Sequence, residues 1–111
     1  SAARALRACF FPDAVEAAIH LLSDNDWRVR AAAARAVGAL NAENAIPMLS
    51  AALRDETWWV RFRAALALAE LGEDGLKALG DATQSDDPYS RDMANLVCRL
   101  PEGTRLELTS A

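Results

Sequence analysis

The sequence predicts an all-α protein, a right-handed superhelix of about three helix pairs, and three observations carry this prediction. First, the chain repeats itself, because Val29-Arg30 recurs 31 residues later as Val60-Arg61, and Ala64 recurs after 30 residues as Ala94. Second, apolar side chains inside each period follow helical spacing. Third, alanine dominates an apolar content of 52%, and alanine is the strongest helix former. A fixed period in this range predicts a solenoid, in which each unit buries its apolar face against the next.

Each period divides into two helices, which we call helix A and helix B. The A helices are predicted over residues 13–22, 43–53 and 73–83, and the B helices over residues 27–40, 58–71 and 88–100. The resulting units cover residues 13–40, 43–71 and 73–100 of a single domain that spans residues 1–111. Residues 1–11 align with the end of a preceding unit and the chain lacks an initial Met, so we expect a fragment of a longer protein.

Residues 101–111 depart from the repeat and are predicted to form a tail. Pro101 and Gly103 are expected to stop the third B helix, because proline and glycine disfavour a helix interior. Leucine alternates with polar residues over 105–109, a pattern of period two. This alternation predicts an extended segment that lies against the last unit.

Polar residues and glycines mark the ends of the B helices. Asp26, Thr57 and Asp87 hold the same repeat position and are predicted to cap the free N–H groups of the first turn. Gly72 lies just past a B helix, where glycine is typical of a C-terminal stop. Gly38 lies near the end of another B helix, where the absence of a side chain predicts close helix packing.

Charge and composition narrow the possible functions. The chain has 12 Lys and Arg against 16 Asp and Glu, a net charge of −4, which supplies no general attraction for nucleic acid. We expect no membrane insertion, because no apolar run is long enough, and no signal peptide. Cys9 and Cys98 align with core leucines of other units, so both are predicted to be buried. Because the two cysteines lie near opposite ends of the stack, both are predicted to be reduced thiols. We therefore expect a cytoplasmic location, free or as the cytosolic domain of a longer, membrane-tethered protein.

No catalytic or cofactor site emerges from the sequence. His20 is predicted on the outer face of a helix A, away from the nucleophile or carboxylate that catalysis would require. The loop at Asp24-Asn25-Asp26 opens like a calcium site. Val29 and Arg35, however, stand where that site needs Gly and Glu. We expect no enzymatic activity, no metal and no cofactor.

The aromatic residues gather at one place in the repeat. The first two positions of the B helices hold Trp27 and Arg28, Trp58 and Trp59, and Pro88 and Tyr89. Stacking should bring these side chains into a row, and Trp, Tyr and Arg are enriched at binding hot spots. One interpretation is an aromatic-arginine ridge that binds a partner. The other is that Trp27 and Trp58 cover the gap between loops. For Trp59 we favour binding, because the adjacent Val60 takes the inward position.

A groove is predicted along the outward side of the B helices. It would be lined by Arg35, Arg63, Leu66 and Glu70. Together with Arg28, Arg30 and Arg61, these arginines would make the first two units locally basic, which suits acidic peptides, phosphate groups or a nucleic-acid backbone. The alternative is that the arginines are solvated or pair with nearby acids. The candidate partner-binding residues are Trp27, Arg28, Trp58, Trp59, Arg63 and Tyr89.

Residues 22–33 and 53–64 share a motif, an acidic loop followed by Val-Arg and small residues, and Leu71-Gly72 completes the second copy. This motif resembles the short HEAT repeats of bacteria, first noted in phycocyanobilin lyases. The third unit departs from it, with Ser90-Arg91 in place of Val-Arg. The resemblance implies an armadillo-like solenoid in which loop acids and helix B arginines tie neighbouring units together. That ladder would consist of Asp24, Asp55 and Asp86 with Arg30, Arg61 and Arg91.

Several functions stay open at this stage. The leading hypothesis is a monomeric protein-interaction scaffold with a protein or peptide partner, and an acidic partner would suit the groove. The family resemblance also implies a bilin-lyase-like accessory enzyme, while similarity to HEAT-like alkylpurine DNA glycosylases implies a nucleic-acid-binding protein. A purely structural spacer is a further alternative. The net charge of −4 makes nucleic acid the less favoured partner.

Overall fold

The computed structural model describes residues 12–110, and the half unit predicted over residues 1–11, with Cys9, lies outside the described residues. The described part contains seven α-helices, one 3-10 helix and no strand. The α-helices are α1 (Pro12–Leu21), α2 (Trp27–Ala39), α3 (Ile46–Ala52), α4 (Trp58–Glu70), α5 (Gly72–Ala82), α6 (Pro88–Cys98) and α7 (Glu102–Ser110), and the 3-10 helix is Glu43–Ala45. The predicted all-α solenoid is confirmed, and α1 to α6 form its three A/B pairs.

Helix α4 is the centre of the fold. It packs against the other two B helices, α2 and α6, and also against α3, α5 and α7. Its Ala64, Ala65 and Leu68 are fully buried in one apolar cluster that also contains Val37 of α2 and Leu79 of α5. The core therefore runs through all three pairs, as expected when neighbouring repeats bury one another's apolar faces.

Two glycines let other helices approach α4 closely. A Cβ atom added at Gly38 of α2 would lie only 3.0 Å from the Cα and Cβ atoms of Ala67. A Cβ atom added at Gly75 of α5 would fall against the carbonyl oxygen of Leu68 and 2.8 Å from Cβ of Leu71. The close packing predicted at Gly38 is confirmed, and Gly75 gives the same kind of contact on the other side of α4.

The two junctions between helix pairs differ in length, which accounts for the change of spacing from 31 to 30 residues. Between α2 and α3 the chain passes through Asn41, which has a φ of 56°, and then through the 3-10 helix. Between α4 and α5 only Leu71 intervenes, and Gly72 turns the chain with a φ of 76°. Glycine adopts this left-handed conformation without steric cost, and the helix stop predicted at Gly72 is confirmed.

Two of the three predicted N-caps are present. The Asp26 side chain accepts a hydrogen bond from the backbone N–H of Arg28 at 2.9 Å, and Asp87 accepts one from Ser90 at 2.8 Å. The prediction for Thr57 is wrong, because its side chain makes no cap bond. In that loop the Asp55 carboxylate accepts the backbone N–H of Thr57 at 2.9 Å.

The difference between Asp87 and Thr57 predicts unequal effects of the same substitution. Asp87→Ala should lower the free energy of unfolding by about 1 kcal/mol, because it removes a made cap bond. Thr57→Ala, at the equivalent position of α4, is the matched control and should have a clearly smaller effect. Urea unfolding followed by circular dichroism measures both. Equal effects of the two substitutions would contradict the assignment of the caps.

The tail is a helix rather than the predicted extended segment. Helix α7 begins directly after Pro101, whose carbonyl accepts the backbone N–H of Arg105 at 3.0 Å. Leu108 packs against the core and accepts a hydrogen bond from Nη1 of Arg63 on α4 at 3.1 Å, whereas Leu106 is 57% exposed. The alternating pattern was misleading because only one of the two leucines faces the core.

Two further burial predictions are wrong. Leu66 was expected to face an open groove, but it is fully buried because α7 lies over that side of α4, and Leu66 lines a cleft with Leu106. Cys98 was expected in the core but is exposed. It holds the repeat position of Leu68, which α5 covers, and no described helix covers Cys98 in the same way. His20 is exposed, as predicted.

Within residues 12–110, none of the helices has both the length and the apolar character that crossing a membrane requires.

Candidate partner-binding surface

The predicted aromatic positions are exposed at the starts of the B helices. Trp27 begins α2, Trp58 and Trp59 begin α4, and Tyr89 follows Pro88 at the start of α6. Their exposed fractions are 41%, 42%, 49% and 52% in that order. Contiguous exposed apolar patches often mark interaction sites, and Trp and Tyr are enriched at interfaces.

The two tryptophans of α4 form an ordered cluster with Phe62. Trp58 stacks on Phe62 with ring centroids 4.9 Å apart and planes at 16°. Trp59 lies edge-on to Trp58 at 4.9 Å and edge-on to Phe62 at 6.1 Å. Phe62 is only 8% exposed and therefore anchors both indoles to the core. Phe62 was not among the predicted site residues, although its spacing of four residues from Trp58 indicates contact on a helix.

Tyr89 is held by a different contact. The guanidinium of Arg61 lies over its ring, 4.2 Å from the centroid, in a cation–π interaction. Trp58, Arg61 and Tyr89 together with Asp92, Met93 and Leu96 line a pocket of about 340 Å³ between α4 and α6. The structure therefore joins Trp58, Trp59 and Tyr89 into one surface. In the described residues, Trp27 makes no ring contact with that group.

The Arg28 side chain pairs with an acid of its own loop. Its guanidinium pairs with Asp26 at 3.1 Å, and 74% of the Arg28 side chain is exposed. The hydrogen bonds from Arg28 hold the pKa of the Asp26 carboxyl below its usual range, and the same contact raises the pKa of Arg28. Because the folded pKa of Asp26 is depressed, this contact stabilises the protein at neutral pH and is lost as the pH falls through that pKa.

The ladder implied by the resemblance has one complete rung. Arg30 of α2 reaches across to Asp55 of the next unit, with Nε and Nη2 at 2.8 and 3.2 Å from the carboxylate oxygens. The two side chains are only 14% and 13% exposed, and the hydrogen bond raises the pKa of Arg30. Nη1 of Arg30 also donates to the carbonyl of Asp24 at 2.8 Å. This rung ties the first two pairs together.

The prediction is wrong for the rest of the ladder, which involves Arg61, Arg91 and Asp86. Within the described residues, Arg61 makes no ion pair with Asp86, and Arg91 lies 3.8 Å from its exposed neighbour Asp92. The reason is the shorter second junction, which places Ser85 rather than Asp86 at the position of Asp55. Ser85 accepts the backbone N–H of Asp87 at 3.1 Å, as Asp55 does for Thr57. A serine offers no carboxylate to an arginine.

The arginines do not form the open basic groove that one interpretation predicted. Arg28 and Arg30 pair with acids, which confirms the alternative for these two residues. Arg63 is half-buried, and its Nη1 donates a hydrogen bond to the carbonyl of Leu108 in α7. The Arg63 side chain is therefore directed to α7 and not to the aromatic cluster one turn away. Arg35 is exposed on α2.

A stack of helix pairs with an exposed aromatic surface at the starts of its B helices defines an α-solenoid module. The comparison with family models gives the particular family: the model for HEAT repeats matches residues 1–69 and 15–97. The chain belongs to the HEAT-repeat family, whose members generally act as scaffolds for protein–protein interaction. The comparison with curated proteins found no match, and the comparison with solved structures found none either.

Proposed function

We propose that this chain is a protein-interaction module that binds its partner through the aromatic-arginine ridge predicted from the sequence. The ridge comprises Trp27, Arg28, Trp58, Trp59, Arg63 and Tyr89. The observation that carries the proposal is the cluster of Trp58 and Trp59 on Phe62, which exposes two indoles in a fixed geometry. In this proposal the module acts as a monomer in the bacterial cytoplasm, free or as the cytosolic domain of a membrane-tethered chain, without catalysis or a cofactor.

The geometry of Trp59 supports binding over simple coverage of the core. Trp59 is 49% exposed, and its ring contacts are with Trp58 and Phe62. The adjacent Val60 is fully buried and already fills the inward position. Trp58 serves both purposes, because it stacks on the nearly buried Phe62 while 42% of the residue stays exposed. A rigid, half-exposed indole contributes much apolar area to an interface at a small entropic cost.

The partner is expected to be a protein rather than a nucleic acid. The net charge of −4 disfavours binding to a phosphate backbone, and the pairing of Arg28 and Arg30 with carboxylates lowers the positive charge near the ridge. Arg63, the remaining arginine of the ridge, donates to the carbonyl of Leu108. The aromatic side chains therefore supply most of the expected binding free energy.

Trp59→Ala tests the proposal. Affinity capture from an extract of the source cells should recover a partner with the unmodified protein and lose it about tenfold or more with Trp59→Ala. Leu21→Ala removes a side chain of similar exposure on α1 and should leave capture unchanged. Arg63→Ala tests whether α7 must stay in place. The proposal is wrong if Trp59→Ala strongly destabilises the fold while partner binding is unchanged.

A further inference from the structure

Two arginines at the same repeat position have different surroundings. Nη1 of Arg30 donates to the loop carbonyl of Asp24 at 2.8 Å, and Nη1 of Arg61 donates to the corresponding carbonyl of Asp55 at 2.7 Å. Both guanidinium groups are thus fixed in the same way by their own loops. Arg30 then places Nε and Nη2 on the carboxylate of Asp55, whereas the next loop offers Arg61 only Ser85.

Arg61 is buried and directed into a pocket. The residue is 9% exposed, and within residues 12–110 its hydrogen bonding is limited to the bond from Nη1. Arg61 lines the pocket of about 340 Å³ between α4 and α6, where its guanidinium lies over the Tyr89 ring. Among the described residues no enclosed side-chain nitrogen lacks a hydrogen-bond partner, so Nε and Nη2 of Arg61, which make no such bond, are open to solvent. A guanidinium carries five N–H donors in a planar fork that matches a carboxylate. Arg61 therefore presents the same two donors that Arg30 uses for Asp55.

We propose that this pocket binds the carboxylate of an aspartate or glutamate side chain of a protein partner, which takes the place at Arg61 that Asp55 takes at Arg30. This inference rests on the proposed function, since it names the chemistry of the partner at one end of the ridge. Trp58 and Tyr89 wall the pocket, so an acidic side chain that enters it brings the neighbouring residues of the partner against the exposed rings.

The lining selects a single acidic side chain flanked by apolar residues. Trp58, Met93 and Leu96 form apolar walls, and Leu96 is 42% exposed. Asp92 lies at the rim with its side chain 79% exposed and its carboxylate close to Arg91. Its negative charge repels a chain of phosphates more than a single carboxylate. The pocket therefore favours an acidic peptide over nucleic acid.

The experiment uses two capped peptides that differ in one carboxylate, acetyl-Leu-Glu-Leu-amide and acetyl-Leu-Gln-Leu-amide. The Nε–H resonance of Arg61, assigned by its loss in Arg61→Lys, is followed by ¹H–¹⁵N NMR during titration. We expect a saturable shift with the glutamate peptide. The affinity for the glutamine peptide should be lower by about tenfold or more, because the charge-assisted hydrogen bonds are lost. A resonance that neither peptide moves, or that both move equally, overturns the inference.

Ser85→Asp is designed to fill the pocket from within. It places a carboxylate where Asp55 stands for Arg30, keeps an acceptor for the N–H of Asp87, and should abolish the response of Arg61 to the glutamate peptide without lowering the Tm. Ser85→Asn is the matched control, with the same size and no charge, and should leave the response intact. Undiminished peptide binding in Ser85→Asp contradicts the inference, and so does a larger shift of Arg61 with single-stranded DNA or inorganic phosphate than with the glutamate peptide.

The same variant separates this inference from the proposed function. If Ser85→Asp still captures the partner and Trp59→Ala does not, the ridge binds a protein without using the pocket, and only the carboxylate inference fails. If Trp59→Ala leaves capture intact, the proposed function fails whatever Arg61 does.

Discussion

Gly75→Ala is expected to lower the free energy of unfolding by about 3 kcal/mol or more, the upper range for overpacking a core. A Cβ atom at this position would fall against the carbonyl oxygen of Leu68, far inside van der Waals contact, and 2.8 Å from Cβ of Leu71. Neither neighbour can give way easily, because one belongs to the backbone of α4 and the other lies in the one-residue junction to α5. Urea unfolding followed by circular dichroism measures the change.

Gly80→Ala is the matched control on the same helix. A Cβ atom at Gly80 would have no atom within 4 Å, so alanine should raise the free energy of unfolding by about 0.5–1 kcal/mol through helix propensity alone. The two substitutions are chemically identical and should act in opposite directions. A Gly75→Ala variant as stable as the unmodified protein would show that α5 does not press against α4 as described.

Arg30→Ala is expected to lower the free energy of unfolding by about 3 kcal/mol. The substitution leaves the carboxylate of Asp55 mostly buried and without its partner, and removing one member of a buried ion pair costs about 3–5 kcal/mol. We take the lower end because 13% of the Asp55 side chain still reaches water. The substitution also removes the hydrogen bond to the carbonyl of Asp24.

The control for this prediction is Arg35→Ala, which removes an exposed arginine from the same helix and should change stability by no more than about 0.5 kcal/mol. A double-mutant cycle with Asp55→Ala isolates the coupling between Arg30 and Asp55. A coupling close to zero would mean that the pair contributes nothing to holding the first two units together.

The sequence predicted the repeat architecture well because every unit carries the same apolar spacing. All six A and B helices were identified, and the structure places Trp27, Trp58, Trp59 and Tyr89 exposed at the helix starts where the register put them. The equivalence of these positions follows from the period alone, since the first turn of a B helix holds the same place in each unit. The contact of Trp58 with Phe62 was within reach of helical spacing and was missed.

What the sequence could not give depends on contacts outside the repeat. The register at Ser85 was within reach of the sequence, because the 30-residue spacing of the third unit aligns Ser85 with Asp55. The stacking of Arg61 on Tyr89 in place of an ion pair was not. The burial of Leu66 depends on α7, whose helical form the alternating leucines concealed. Cys98 is exposed because its burial would need a neighbouring helix rather than a suitable residue type.

The placement of the indoles has a practical consequence for spectroscopy. The chain has three tryptophans, and all of them are more than 40% exposed at helix starts. Their fluorescence in the native state already reports a partly aqueous environment, so we expect denaturation to shift the emission wavelength less than it would for buried tryptophans. A partner that covers the rings would dehydrate them and shift the emission to the blue. We therefore expect the intrinsic fluorescence of this protein to report what covers its surface as well as whether it is folded.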